Sequence, residues 1–187
     1  NQGPGEAFRT GLTAALAQAA DDDWIVTLEA DNTSDLGVLA RMLDRGRRGA
    51  DLVLASVYGE GRVVGAPWER RLLSWGANNL VRALFGLWGL HTFSSFFRLH
   101  RARLLRRAFA HHGAALITEP GFVCMVELLI KLLRLGARVD EVPMLLDSNV
   151  RVGDSKLKIL RTTRSYLRLL LRLRLPAASS PAAPRAG

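Results

Sequence analysis

Apolar positions recur at helical spacing through residues 6–19, EAFRTGLTAALAQA, and predict a helix with an Ala/Leu face. The period then changes. Residues 24–28, WIVTL, form a short β-branched apolar run of the kind found in a buried parallel strand. A second helix over 36–47 and a second buried strand over 51–56 follow. This alternation predicts an α/β sheet with crossover helices. Residues 58–67 read as a Gly-rich loop and 68–87 as a long helix, followed by an apolar, aromatic segment at 92–99. Helices fit 101–110 and 122–135, the second closed by Gly136. Residues 137–146 read as a strand, with Pro143 marking a sheet edge or strand end. A loop over 147–155 leads to a basic amphipathic helix at 156–175. Residues 176–187, rich in Pro, Ala and Ser, predict a disordered tail. The organisation expected is a main domain over 1–155, a surface helix over 156–175 and the tail.

Composition narrows the picture. The chain has 187 residues, 49% hydrophobic and 23% charged, which is globular and excludes a disordered or collagen-like chain. Its net charge of +9 is unevenly placed. Residues 1–60 hold ten acids and five bases, while 61–187 hold seven acids and 21 bases. A simple nucleic-acid binder needs no acidic front third, so both ends require an account. Cys124 is the one cysteine, which excludes an internal disulfide framework or a Cys-based zinc cluster and fits a reducing, cytosol-facing location. No stretch reaches the roughly 18 apolar residues of a membrane span. The polar opening does not read as a signal peptide. The chain starts at Asn1 without methionine and in mid-motif, so a missing upstream segment is expected.

The sharpest acidic feature is Leu28-Glu29-Ala30-Asp31-Asn32, directly after the first strand. In extended backbone, residues i and i+2 point to one side, so Glu29 and Asp31 can present two carboxylates together. Open α/β sheets bind ligands at this end of a strand. Two hard oxygen ligands beside a diphosphate suit Mg²⁺ or Mn²⁺. Spacing alone favours a plainer reading, a strand-to-helix loop with Asp31, Asn32 or Ser34 as N-cap of the next helix.

At the basic end, Arg151-Val152-Gly153-Asp154-Ser155-Lys156 gathers two cations, a hydroxyl and a flexible Gly before a helix, a setting for an anion. On that helix Arg161, Arg164, Arg168 and Arg172 form one basic stripe. Ile159, Leu160, Thr163, Tyr166, Leu167, Leu170 and Leu171 populate the other side. Such a helix can lie on an anionic membrane surface, or it can be a solvated face packed on its own domain. A nucleic-acid patch is a third reading, but the interleaved aromatics of a single-strand platform are missing.

Taken in order, NQGPGEA, TLEADNTSD, DLVLAS, RRLLSWGANNLVRALFG, SSFFR, GFVCMVELLIKLLRLGARVDEVP and RVGDSK resemble family 2 glycosyltransferases, in particular the polyprenol-phosphate (dolichol-phosphate) mannosyltransferase branch. The resemblance runs over about residues 1–170. It implies a GT-A-type (Rossmann-like) mixed sheet flanked by helices, a nucleotide-sugar donor such as GDP-mannose or a UDP-sugar, a divalent metal and a polyprenyl phosphate acceptor. By the same resemblance Glu29 and Asp31 match the metal motif. Arg70 and Ser74 match positions near the donor phosphates, and Arg151, Ser155 and Lys156 match the loop that handles the acceptor phosphate. Glu127 matches a carboxylate on the helix before the last strand; its plainer reading is a salt bridge to Lys131 at i+4.

The implied reaction is hexosyl transfer, mannosyl in the nearest branch, with inversion, by an enzyme peripheral on the cytoplasmic face of a membrane and without a nucleic-acid partner. The sequence departs from the family pattern in four places. Glu29 replaces Asp, Val57 stands where relatives carry Arg, His91 stands where they carry Asp, and the Arg151 loop is one residue shorter. The family's first strand and its Asn-Glu motif are not in the sequence, so part of the donor site is expected upstream. The four histidines, His91, His100, His111 and His112, show no metal-ligand spacing. The competing readings are a family 2 transferase with UDP-glucose or another donor or acceptor, a noncatalytic basic module for membrane or nucleic acid, and a degenerate inactive relative.

Overall fold

The computed structural model describes residues 3–31, 33–150 and 159–174, with the backbone alone at 70, 159–161 and 174. Arg151, Ser155, Lys156 and the expected tail lie outside the described residues.

The chain opens with helix α1 (Pro4–Gln18) and strand β1 (Trp24–Thr27). A single 3₁₀ turn over Leu36–Val38 leads into α2 (Leu39–Arg47), and β2 follows at Leu52–Ser56. The cap of that turn is Asp35, whose carboxylate accepts the Gly37 N–H at 2.8 Å, and not Asp31 or Ser34; Asn32 lies outside the described residues. The long helix α3 spans Trp68–Phe85, α4 Ala102–His112, and α5 Cys124–Arg134. Gly136, at φ 78°, ends α5, and its N–H donates to the Leu133 carbonyl at 2.9 Å.

Three strands depart from the sequence pattern. The glycine-rich stretch contains β3 (Arg62–Val64), and the stretch after 92–97 yields β4 (Arg98–Arg101). The single strand expected over 137–146 breaks at Met144 into β5 (Val139–Pro143) and β6 (Leu145–Asp147), which belong to different sheets. The main sheet has the order β1-β4-β2-β5. Strand β4 runs antiparallel to both β1 and β2, while β2 and β5 are parallel, so the sheet is mixed. Strand β1 is therefore neither paired in parallel nor fully buried; it is half-covered beside β4. Pro143 ends the edge strand β5, as its missing N–H requires. The small second sheet pairs β3 with β6 in parallel.

The sheet is covered on both faces. Val53, Ala55, Leu99 and Val142 pack under Val38 and Met42 of the α2 region. Leu52 and Leu54 face the larger core, made with α1, α4, α5 and the last helix, α6 (Ile159–Arg174). Helix α5, CMVELLIKLLR, is apolar nearly all round and correspondingly buried from Cys124 to Leu132.

Candidate active site

Because β1 and β2 both oppose β4, they run in the same direction. Thr27 and Leu54 both lie across from Arg98, and Ser56 pairs with Pro143. The carboxyl ends of β1, β2 and β5 thus open on one edge of the sheet. That edge receives Glu29–Asp31, the Ser56–Tyr58 turn, residues 93–97 and the start of β6.

The acid motif is held in a defined shape. The Asp31 carboxylate accepts the Thr33 hydroxyl at 2.7 Å and the Thr33 N–H at 3.2 Å. Thr33 is buried, and its carbonyl accepts the Asp147 N–H at 3.0 Å, while Ser34 bridges to Leu146. The segment bearing Glu29 and Asp31 is therefore stitched to β6, which leads to the Arg151–Lys156 stretch. Glu29 and Asp31 are both half-buried. Among the described residues no group of three or more His, Cys, Asp or Glu side chains is placed to hold a metal ion. Two carboxylates from one turn, with one fixed by Thr33, fit Mg²⁺ or Mn²⁺, since these ions draw remaining ligands from phosphate and water.

At the Ser56–Tyr58 turn, Ser74 on α3 accepts the Tyr58 hydroxyl at 2.6 Å. Burial raises the Tyr58 pKa, against the pull of hydrogen bonds to Ser74 and Asn78, so the phenol stays a neutral donor. Arg70 lies one turn earlier on α3; its side chain is outside the described residues. Ser56 and Thr92 share a hydrogen bond of 2.7 Å. His91 and Thr92 both give their N–H to the Glu141 carboxylate, which also meets His91 Nδ1 at 2.9 Å. His91 thus tethers its loop to β5. Arg98 is fully buried and holds the same loop through the carbonyls of Ser95 (2.7 Å) and Phe93 (2.8 Å).

Sequence reasoning missed Tyr58, Thr92, Arg98 and Glu141. Tyr58 before Gly59 in a glycine-rich turn was the available signal; Thr92 and Glu141 are defined by contacts between distant segments, and Arg98 by its burial against the preceding loop.

Glu127 lies away from this edge in contact terms. It is fully buried on α5, and accepts from Thr118 Oγ1 (2.7 Å), the N–H groups of Thr118 and Glu119 (both 2.9 Å), Lys131 (2.6 Å) and Arg172 (2.9 Å). The i+4 salt bridge to Lys131 is present, joined by an arginine 45 residues away. Arg172 thus reaches the buried carboxylate from a side chain that is itself 46% exposed. On α6, Leu169, Leu170 and Leu173 are buried, whereas Leu167 and Leu171 are exposed beside the exposed Arg164 and Arg168. The outer face of α6 is mixed Arg and Leu, not a clean division of the two.

Comparison with known proteins agrees with this architecture. Residues 1–109 match glycosyl transferase family 2. The chain is 30% identical over 145 residues to a polyprenol monophosphomannose synthase of Mycolicibacterium smegmatis, covering 73% of this chain and 52% of that protein. It is 31% identical over 157 residues to an undecaprenyl-phosphate mannosyltransferase of Micrococcus luteus, covering 83% of this chain and 60% of the relative. The chain thus spans about half the length of these relatives. The crystal structure of glucosyl-3-phosphoglycerate synthase from Mycobacterium tuberculosis, solved with Mn²⁺, uridine diphosphate and phosphoglyceric acid, superposes with a TM-score of 0.61 at 21% identity, covering 94% of this chain and 56% of that one. That likeness establishes the GT-A-type fold. The ordered motifs, the mixed sheet and these matches together place the chain in glycosyl transferase family 2.

Proposed function

We propose that the protein transfers a hexosyl group, mannosyl by the names of its relatives, from a nucleoside diphosphate sugar to a polyprenyl phosphate, with inversion. The observation that carries this reading is the hydrogen bond from the Asp147 N–H to the Thr33 carbonyl, 3.0 Å. It joins the turn that would handle the donor diphosphate to the strand that leads into the stretch assigned to the acceptor phosphate. The Mycolicibacterium and Micrococcus relatives support the class of acceptor by name.

The chemistry suits the residues. A phosphate monoester has a second pKa of about 6 and is anionic at neutral pH, so its oxygen attacks the anomeric carbon without a general base. The bond from that carbon to the donor diphosphate breaks, leaving nucleoside diphosphate and a hexosyl polyprenyl phosphate. Glu29 and Asp31 would hold Mg²⁺ or Mn²⁺, which when bound neutralises charge on the leaving diphosphate. Arg70 and Ser74 would orient that diphosphate. Arg151, Ser155 and Lys156 would align the acceptor. Glu127, enclosed by its five hydrogen bonds, acts as a positioning residue for α6 and not as a group that touches substrate. A membrane-borne acceptor and a soluble donor would place the protein peripherally on the cytoplasmic face, where the exposed Arg164 and Arg168 meet anionic headgroups.

The test is a donor panel. The full-length protein is incubated with polyprenyl phosphate and labelled GDP-mannose, UDP-glucose or other nucleotide sugars. A lipid-extractable labelled hexose with one donor is expected. No lipid-linked product from any donor, together with nucleic-acid affinity that falls steeply with salt, would favour the noncatalytic module.

A further inference from the structure

The turn that precedes β4 rests on a cation with no counter-ion. Arg98 is fully buried, and among the described residues it pairs with no carboxylate. Its Nε and Nη2 donate to the carbonyls of Ser95 and Phe93, while Nη1 has no acceptor. Burial pulls its pKa down to about 10, the mark of a charge held out of water without compensation. In a planar trans peptide, the C=O of one residue and the N–H of the next point opposite ways. With the Phe93 and Ser95 carbonyls turned onto the guanidinium, the N–H groups of Ser94 and Phe96 are turned away from it. Thr92 and Phe93 give their own N–H groups to Glu141 (2.7 Å) and Asn78 (3.3 Å). Those of Ser94, Ser95 and Phe96 meet no acceptor among the described residues. All three residues are half-buried. The turn is also clamped from both sides. The Thr27 hydroxyl donates to the Phe96 carbonyl at 2.9 Å, and the Phe96 ring lies between Phe8 and Phe122. The Ser94 side chain is hydrogen-bonded to Tyr166 of α6.

We propose that the Ser94–Phe96 turn binds phosphoryl oxygens, with its backbone N–H groups as donors and Arg98 as the positioning residue behind them. The inference rests on the transferase reading above and adds residues to its site. Successive amide donors with no acceptor among them suit an anion. The guanidinium behind them adds positive potential that no carboxylate cancels, and an oxyanion in front would offset the cost of burying it. The clamps hold the donors in place before any ligand arrives, so binding need not order them. The location fits phosphoryl chemistry. Through Thr27 the turn is fastened to β1 two residues before Glu29, at the start of the candidate metal motif. Through Tyr166 it is fastened to α6, the helix that follows the Arg151–Lys156 stretch. The donor diphosphate and the acceptor phosphate both present oxygens of this kind.

The experiment is an amide NMR titration of the full-length protein labelled with ¹⁵N at serine and phenylalanine. The Ser94 and Phe96 peaks are assigned by their loss in Ser94→Ala and Phe96→Leu. One arm adds inorganic diphosphate with Mg²⁺, and the other adds a water-soluble short-chain prenyl monophosphate. The expected result is a saturable downfield movement of both peaks in at least one arm. Movement with Mg²⁺-diphosphate assigns the oxygens to the donor; movement with the prenyl phosphate assigns them to the acceptor. In steady-state transfer, Arg98→Met is expected to raise KM for that same substrate by about tenfold or more, with kcat less affected and part of the loss recovered in Arg98→Lys. Should Arg98→Met fail to fold, the wild-type titration decides alone. Peaks that stay still in both arms while lipid-linked product forms overturn this inference and leave the transferase reading standing. Peaks that move although no donor yields lipid-linked product support the phosphoryl site and count against that reading. A folded Arg98→Met with unchanged KM and unchanged peak movement overturns the role given to Arg98.

Discussion

The Arg172 guanidinium on α6 stands 2.9 Å from the Glu127 carboxylate at the middle of α5 and 3.3 Å from Glu119. Burial raises the pKa of Glu127, but the hydrogen bonds from Lys131, Glu119 and Thr118 outweigh it and hold the carboxyl below its usual range. The C-terminal helix is thereby latched to the most buried helix of the fold. Glu127→Ala leaves Lys131 enclosed beside an empty carboxylate site. A loss of roughly 3–5 kcal/mol is expected by urea unfolding, because breaking a buried pair strands its partner. A variant that lost sugar transfer at undiminished stability would show instead that Glu127 meets substrate.

His100, fully buried on β4, is expected to make folding stability depend on pH. Burial, reinforced by the charge of Arg98, lowers its pKa from 6.5 to about 3. The folded state thus keeps the ring neutral while the unfolded chain protonates it near 6.5. Between these values the unfolded state binds more protons, so stability is full above pH 6.5 and falls as the pH drops toward 3. The slope approaches about 1.4 kcal/mol per pH unit. Urea unfolding of wild type and His100→Gln at pH 7.5 and 5 checks this: the difference between the two proteins narrows at the lower pH.

Thr33 fixes the Asp31 carboxylate through its hydroxyl, so Thr33→Val removes one support and little volume. Half-saturation of transfer by Mn²⁺ in the full-length protein is expected to rise by about tenfold, as for other losses of a ligand-orienting hydrogen bond. An unchanged metal titration would mean that Asp31 needs no such support.

Tyr58 donates to Ser74, linking the β2 turn to α3. Tyr58→Phe keeps the ring and deletes the bond. A drop in kcat/KM for the sugar donor of about two- to tenfold is expected, the worth of one hydrogen bond. Initial rates at varied donor concentration measure it.

The strands β2 and β5 and the helices were legible because burial on one face or all round leaves a local period. Residues 52–55 are continuous apolar sequence, and 124–133 are apolar except where Glu127 and Lys131 pair at i+4. Strand β4 was not legible, since Arg98-Leu99-His100-Arg101 has the look of a surface run. Its polar side chains are buried because β4 lies between β1 and β2, with Arg98 bonded to the preceding loop and His100 beside the Thr27 hydroxyl. Strand β3 escaped for a related reason, as Arg62–Val64 is extended only by pairing with Leu145–Asp147, far along the chain. At the site, the acid pair stood out by its i, i+2 spacing, whereas Ser74 was singled out only through the family resemblance. Arg172 could not be separated from the other arginines of its stripe, because the carboxylate it meets is 45 positions away.

The most direct measurement is hexosyl transfer to polyprenyl phosphate by the full-length protein and its Asp31→Ala variant, each with Mg²⁺ or Mn²⁺ and after chelation. A lipid-linked product that requires the divalent ion and falls by about a hundredfold or more in the variant is the result expected if Asp31 binds the ion that neutralises the leaving diphosphate. Transfer that Asp31→Ala leaves undiminished would contradict the assignment of the metal site.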